Sequence, residues 1–138
     1  MASAAGHAFE EHRGELEIRI DGPTLEALFA EAGRALAELM RATPLEPRTR
    51  CAEEVVVSAP DREALLVEWL NELVFRSEVE KAIFGELDIA HLSDTRLVAT
   101  IRGTRVAALR NPVKAATYHG VCIAERAGGF TAKVVLDV

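Results

Sequence analysis

Two carboxylates near opposite ends of the chain, with a lysine between them, are the residues best suited to chemistry. Glu15 follows closely on Glu11 and His12, and Asp137 stands in the apolar run Val134-Val135-Leu136-Asp137-Val138. A charge in such a run is expensive to bury unless it is paired or binds a metal. Strand alternation puts Asp137 on the face opposite Val134, Leu136 and Val138, so its carboxylate leaves the core. If the last strand pairs with the first, Glu15 and Asp137 converge with the main-chain carboxylate of Val138. Oxygen ligands without cysteine suit a hard divalent cation, calcium or magnesium, rather than zinc. The plainer reading is that both are solvated edge charges, as most surface carboxylates are.

Lys114 lies in Pro112-Val113-Lys114-Ala115-Ala116-Thr117-Tyr118-His119-Gly120. A lysine near two carboxylates offsets their repulsion, and one at the surface holds an acidic partner; the alternative is an ordinary exposed lysine. On a strand, Lys114 and Tyr118 share a face and His119 points away. His12 reads as a hydrogen-bonding neighbour of the site rather than a ligand, because oxygen donors already suit a hard metal. His7 falls in a weakly patterned start, His91 in a hairpin, and no two histidines have the spacing of a zinc-binding helix.

A small set of elements must position these groups. Strict alternation from Glu15 to Ile20 predicts a half-buried strand with Leu16, Ile18 and Ile20 inward. Residues 1–10 are expected to be the least ordered. Asp21-Gly22-Pro23 turns the chain into a helix capped by Thr24 and running to about Arg41, with an apolar stripe and Glu31 largely off it. Pro44 and Pro47 rule out more helix. Residues 53–59 predict a strand, and Asp61 caps a second helix that buries Leu65, Leu66, Trp69, Leu70, Leu73 and Val74, with Glu68, Asn71 and Glu72 more exposed. The rest is strand-rich. A hairpin joins Leu87–Leu92 to Leu97–Ile101 around Ser93-Asp94, extended segments follow at about 104–109, 113–125 and 130–138, and Gly128-Gly129 makes the final turn. The expected architecture is α+β: one domain over 1–138, two layers, two amphipathic helices on one face of a mostly antiparallel (mixed) β-sheet.

Composition narrows the function. The chain has 138 residues, 49% hydrophobic and 28% charged, with a formal charge of −6. That balance argues against a protein built to grip phosphate backbones, and one tryptophan and one tyrosine make a base-stacking platform a poor expectation. No direct nucleic-acid binding is expected. The chain shows no Gly-rich phosphate loop, dinucleotide fingerprint or nucleophile elbow. No catalytic or cofactor-binding residue is assigned, and no enzyme activity is expected. Cys51 and Cys122 lack metal-ligand spacing and read as bystanders, with Cys122 a small buried hydrophobe between Val121 and Ile123. No apolar run approaches the ~18 residues of a membrane span, and no secretory leader is evident. A cytoplasmic protein without membrane partners is expected.

Four segments resemble the archease family. They are Glu11-His12-Arg13-Gly14-Glu15-Leu16-Glu17-Ile18, Gly22-Pro23-Thr24-Leu25-Glu26-Ala27-Leu28-Phe29, Leu65-Leu66-Val67-Glu68-Trp69-Leu70-Asn71-Glu72-Leu73-Val74-Phe75, and Val113-Lys114-Ala115-Ala116-Thr117-Tyr118-His119-Gly120 followed by Val134–Val138. The last, with an Asp one residue from the end, is the most specific. The resemblance implies an accessory protein for the RtcB-type GTP-dependent RNA ligase of tRNA splicing and RNA repair, promoting its guanylylation and multiple turnover. It also implies a divalent metal, commonly calcium, bound through Glu15 and Asp137, with Lys114 as the activating lysine. The family opens on Asp-His-Thr-Ala-Asp where this chain has Glu11-His12-Arg13-Gly14-Glu15. Both acids are one methylene longer and Arg13 adds a positive charge, so metal affinity is expected to be lower or altered. Two other functions fit the residues: a chaperone-like binding module for RNA-modifying enzymes without metal chemistry, and a metal-dependent hydrolase using Glu15, Asp137 and His12.

Overall fold

Both helices begin where the sequence places their caps. The computed structural model describes residues 4–138. The elements are β1 (Gly6–His12), β2 (Glu15–Gly22), α1 (Leu25–Leu39), β3 (Arg41–Pro44), β4 (Arg50–Ser58), α2 (Arg62–Glu80), β5 (Ala82–Leu92), β6 (Arg96–Arg110), β7 (Ala115–Arg126) and β8 (Gly129–Asp137). Thr24 Oγ1 accepts from the Ala27 N–H at 3.1 Å, and Asp61 Oδ1 accepts from the Ala64 N–H at 2.8 Å. Each cap satisfies one of the N–H groups that a first turn leaves without a partner.

The chain is α+β, as expected, but its strands form two antiparallel sheets rather than one. The first has the order β1-β2-β8-β7; in the second the long β6 is central, pairing with β4 and β5 and, at its far end, with β3. Asn71 of α2 caps the β7 edge of the first sheet at one residue. Its Oδ1 accepts from the Ala116 N–H at 2.8 Å and its Nδ2 donates to the Ala116 carbonyl at 3.1 Å. One side-chain amide thus occupies the edge groups that a further strand would use. The helices bridge the two sheets, α1 packing on β2 and β5, and α2 on β7 and the second sheet. Gly103 permits the tight pairing inside the second sheet: a Cβ there would sit 2.1 Å from the Ile83 carbonyl oxygen.

Buried residues join in one cluster drawn from both sheets and both helices, including Ile18, Ile20, Phe29, Leu66, Ile101 and Val134. Trp69 is fully buried at its centre, with its indole N–H donating to the Phe29 carbonyl at 2.8 Å. That bond lets the largest side chain of the core be buried without an unsatisfied donor.

The start of the chain departs from expectation. Residues 6–12 are not loose but form the edge strand β1, turned onto β2 through Arg13-Gly14, with Gly14 at φ +69°. His7 therefore lies over α1. Its Nδ1 is 2.5 Å from Glu31 Oε2 and its Nε2 contacts Glu38 Oε2. Glu31, expected off the apolar stripe, is buried because β1 covers it, and it also takes Arg34 at 2.8 Å. Burial alone lowers the His7 pKa, but the hydrogen bonds and charges of Glu31 and Glu38 outweigh it and the net shift is upward from 6.5. Glu31 moves downward: burial raises it, and His7 and Arg34 overcome that.

The sign of the pH dependence follows. A raised histidine pKa means protonated His7 favours the folded state, fully below about 6.5 and progressively less as pH climbs through the folded value. The lowered Glu31 contributes above its ordinary value of 4.5 and is lost in acid. The strap is strongest between these limits. His7→Gln is therefore expected to lower Tm at pH 6 and to converge on the parent by pH 9. Thermal melts of both proteins across that range check it, and a constant difference would contradict the assignment.

Candidate metal centre

The register of β2 against β8 decides where the two acids go. Leu16, Ile18 and Ile20 pair with Leu136, Val134 and Ala132, all on the core face, so the alternate face carries Glu15 directly opposite Asp137. The Val138 N–H donates to the Gly14 carbonyl at 3.1 Å. Ladder alternation then makes Glu15–Asp137 the narrow, non-hydrogen-bonded kind of pair, with Cα atoms about 4.5 Å apart and side chains close together. Both residues are exposed. No lysine, arginine or histidine forms an ion pair with either among the described residues, whereas their neighbours Glu10 and Glu17 have partners in His12 and Arg19.

The other expected residues gather around this pair. His12 is opposite Glu15 across β1–β2, and Ala115 is opposite Asp137 across β7–β8. His12, Glu15, Asp137 and Ala115 therefore stand in one row across all four strands, with Lys114 just outside β7. The Lys114 main-chain N–H donates to the Asp137 carbonyl at 2.8 Å, while its side chain is exposed and joins neither acid. His12 Nε2 turns toward Glu10, 3.5 Å away. Val138 is half-buried and lines a cavity of about 370 Å³ with Glu11, Leu16, Leu39, Arg41 and Pro112.

Counting along the strand fails beyond Ala116. Between Thr117 and Cys122 the register with β8 shifts, so that Tyr118 to Val121 bulge against Val134 alone. Gly120 takes φ +75°, a conformation that side chains with a Cβ rarely adopt. Tyr118 is the first residue of this bulge and does not extend the regular pairing with β8. Tyr118 instead donates to Glu68 Oε1 on α2, whose charge, with burial adding to it, raises the phenol pKa. The bulge also turns Cys122 outward opposite Lys133, leaving it exposed rather than buried.

As a donor set, Glu15 and Asp137 suit a hard cation: two carboxylates without an ion-pair partner among the described residues, directly opposed on one exposed face. Among the described residues no third His, Cys, Asp or Glu completes a metal-binding group. A cation held by these two acids would need its further ligands from main chain, with Val138 adjacent, and from water. Residue types gave no hint of His7, Asn71 and Glu68 as structural partners. Arg13-Gly14 between two alternating runs was the available signal for the β1–β2 hairpin, and through it for His7.

Fold and site together define a small α+β protein of two antiparallel sheets bridged by two helices, whose polar centre lies where the second and last strands meet. The model of the Archease protein family (MTH1598/TM1083) matches residues 7–138, and the chain belongs to that family. Among its relatives, protein archease of Methanosarcina mazei is 27% identical over 140 residues, covering 96% of this chain and 95% of that one. Protein archease of Methanothermobacter thermautotrophicus is 32% identical over 127 residues, covering 85% and 87%. Of solved structures, Methanobacterium thermoautotrophicum protein 1598 superposes with a TM-score of 0.69 at 27% identity, over 96% of this chain and 99% of that one. An archease of Thermotoga maritima, described as a possible chaperone, superposes at 0.66 over 94% of each chain; at 17% identity it supports the fold alone. No helix among the described residues is long and apolar enough to cross a membrane.

Opposed like charges destabilise a strand pair by a few tenths of a kcal/mol, up to about 1. Without divalent metal, Asp137→Asn should therefore raise Tm by roughly 1–3 °C at low ionic strength. Melts in chelator at low and high salt measure it. A fall in Tm would mean that the two carboxylates are not opposed.

Proposed function

We propose that the chain is an accessory protein that promotes guanylylation and repeated turnover of an RtcB-type GTP-dependent RNA ligase, in tRNA splicing and RNA repair in the cytoplasm. Membership of the archease family supports this reading. The observation that carries it is the direct opposition of Glu15 and Asp137 across β2–β8, with Lys114 bonded through its main chain to Asp137. Both acids, with a main-chain oxygen of the adjacent Val138, are the ligands of a divalent cation, calcium in preference to magnesium. The longer Glu15 arm suits the larger ion, whose coordination geometry is more adaptable than the near-ideal octahedron magnesium demands. Bound there, the cation would supply positive charge at the surface that meets the ligase. Lys114 adds a second, mobile positive charge beside it, and the two together hold acidic groups of the ligase nucleotide site. The role is not enzymatic: the chain contributes position and charge, and the ligase performs the chemistry.

The test is a rate. Guanylylation of the cognate ligase by GTP is expected to accelerate in the presence of this protein and calcium. Asp137→Ala should remove at least ~10-fold of that stimulation, the scale on which disturbed metal sites lose activity. Lys114→Ala should reduce it with calcium binding intact. Because Asp137 and Lys114 are exposed, both variants are expected to fold. Identical ligase rates with and without the protein would sink the proposal.

A chaperone-like binding role without metal is the second reading. One feature favours it: Phe75 and Val79, 58% and 60% exposed, lie one turn apart on α2. On that reading Glu68→Lys disrupts partner capture and Asp137→Ala is silent.

A further inference from the structure

A basic like-charge pair faces itself across β3–β6, and unlike Arg19, opposite Lys133 on β2–β8, neither of its members has a carboxylate partner among the described residues. Arg41 is directly opposite Arg110, and Thr43 opposite Ala108 two positions on, so these four share one face of the ribbon. They line a cavity of about 360 Å³ together with Ala42, and no carboxylate lines it. Arg41 Nη1 donates to the Glu38 carbonyl at 2.9 Å, which anchors one guanidinium at the end of α1. Arg34, Arg50, Arg76 and Arg105 each sit against a carboxylate. Arg41 and Arg110 have none among the described residues, in a chain whose acids outnumber its lysines and arginines 22 to 16.

We propose that Arg41, Arg110 and Thr43 form a binding site for a phosphate group of a small ligand, such as a nucleotide. Two guanidinium forks and one hydroxyl present donors from both strands and no charged acceptor. Guanidinium matches phosphate with paired hydrogen bonds, and a tetrahedral oxyanion has enough acceptors for all three groups, where a planar carboxylate has two oxygens. A bound anion converts the Arg41–Arg110 repulsion into two attractions. The same features select a single phosphate over a polynucleotide: the pocket is small, and the net charge of −6 opposes a strand that must contact many phosphates. The site stands apart from the Glu15–Asp137 centre and does not depend on the ligase reading.

The experiment follows arginine side-chain Nε resonances of the isolated protein, in chelator, during titration with inorganic phosphate at ionic strength fixed by chloride. Saturable shifts confined to Arg41 and Arg110 are expected, weakened about tenfold by Arg110→Gln or by Arg41→Gln, the scale of one lost charge-assisted contact. Guanosine triphosphate should bind at least as tightly as phosphate. Acetate matching phosphate would overturn the assignment in favour of carboxylate recognition. Tighter binding of a ten-nucleotide RNA than of the triphosphate, with steep salt dependence, would overturn the small ligand. Absent shifts, or shifts spread evenly over the arginines, would overturn the site itself. Neither ligase nor divalent metal takes part, so failure here leaves the activator proposal untouched, and the reverse.

Discussion

The antiparallel register between β2 and β8 is the constraint on which the rest of this molecule depends. It joins residues separated by most of the chain, and it is set by the core: Ile18, Ile20, Val134 and Leu136 are fully buried. Burying each such side chain is worth roughly 1.5–3 kcal/mol. Holding Glu15 against Asp137 costs at most about 1 kcal/mol. The apolar face therefore wins by several-fold and dictates where the acids stand. A slip of one residue would exchange the two faces and carry the acids into the core. The carboxylate pair is thus a consequence of hydrophobic packing, imposed on side chains that would separate if free.

The edges of that sheet are held by polar side chains from the helices. At one edge β1 is strapped to α1 through His7, Glu31 and Glu38. At the other, β7 gives its free main-chain groups to Asn71 and its bulge to Glu68. Four-stranded sheets with bare edges invite pairing with other chains, and here both edges are engaged over part of their length. These contacts also link the helices to the outer face. His12, at the end of β1, and Lys114, at the start of β7, flank the carboxylate pair, and each is placed by the strand that a helix holds down.

What the sequence made legible was whatever depends on local periodicity or on a cap. Thr24, Asp61, the two amphipathic helices and the inward Leu16, Ile18 and Ile20 are properties of a few neighbouring residues, and each is found where alternation or helical spacing puts it. The opposition of Glu15 and Asp137 was legible only conditionally, as what would follow if the two strands paired. Three features escaped. His7 looked unstructured because its partners are 24 and 31 residues away. The capping of the β7 edge comes from Asn71, an ordinary polar residue of a helix surface until its amide meets Ala116. Cys122 was misplaced because an apolar run was read as buried, where a bulge that only Gly120, with its positive φ, announces turns the strand. In each case the deciding interaction is long-range or breaks the period on which sequence reading rests.

The arrangement of charge supports a functional interpretation of the end of the molecule where β2, β8, β3 and β6 terminate. Glu15–Asp137 and Arg41–Arg110 are both like-charge pairs fixed face to face by strand register, one acidic and one basic. Arg41 also lines the cavity that contains Val138 and Glu11, so the basic pair reaches to within one residue of Asp137 along the chain. Exchanging a single side chain in each pair would relieve both repulsions without touching the core, since all four residues are exposed. None of the four has an ion-pair partner among the described residues, which is what the proposed cation and anion sites would require.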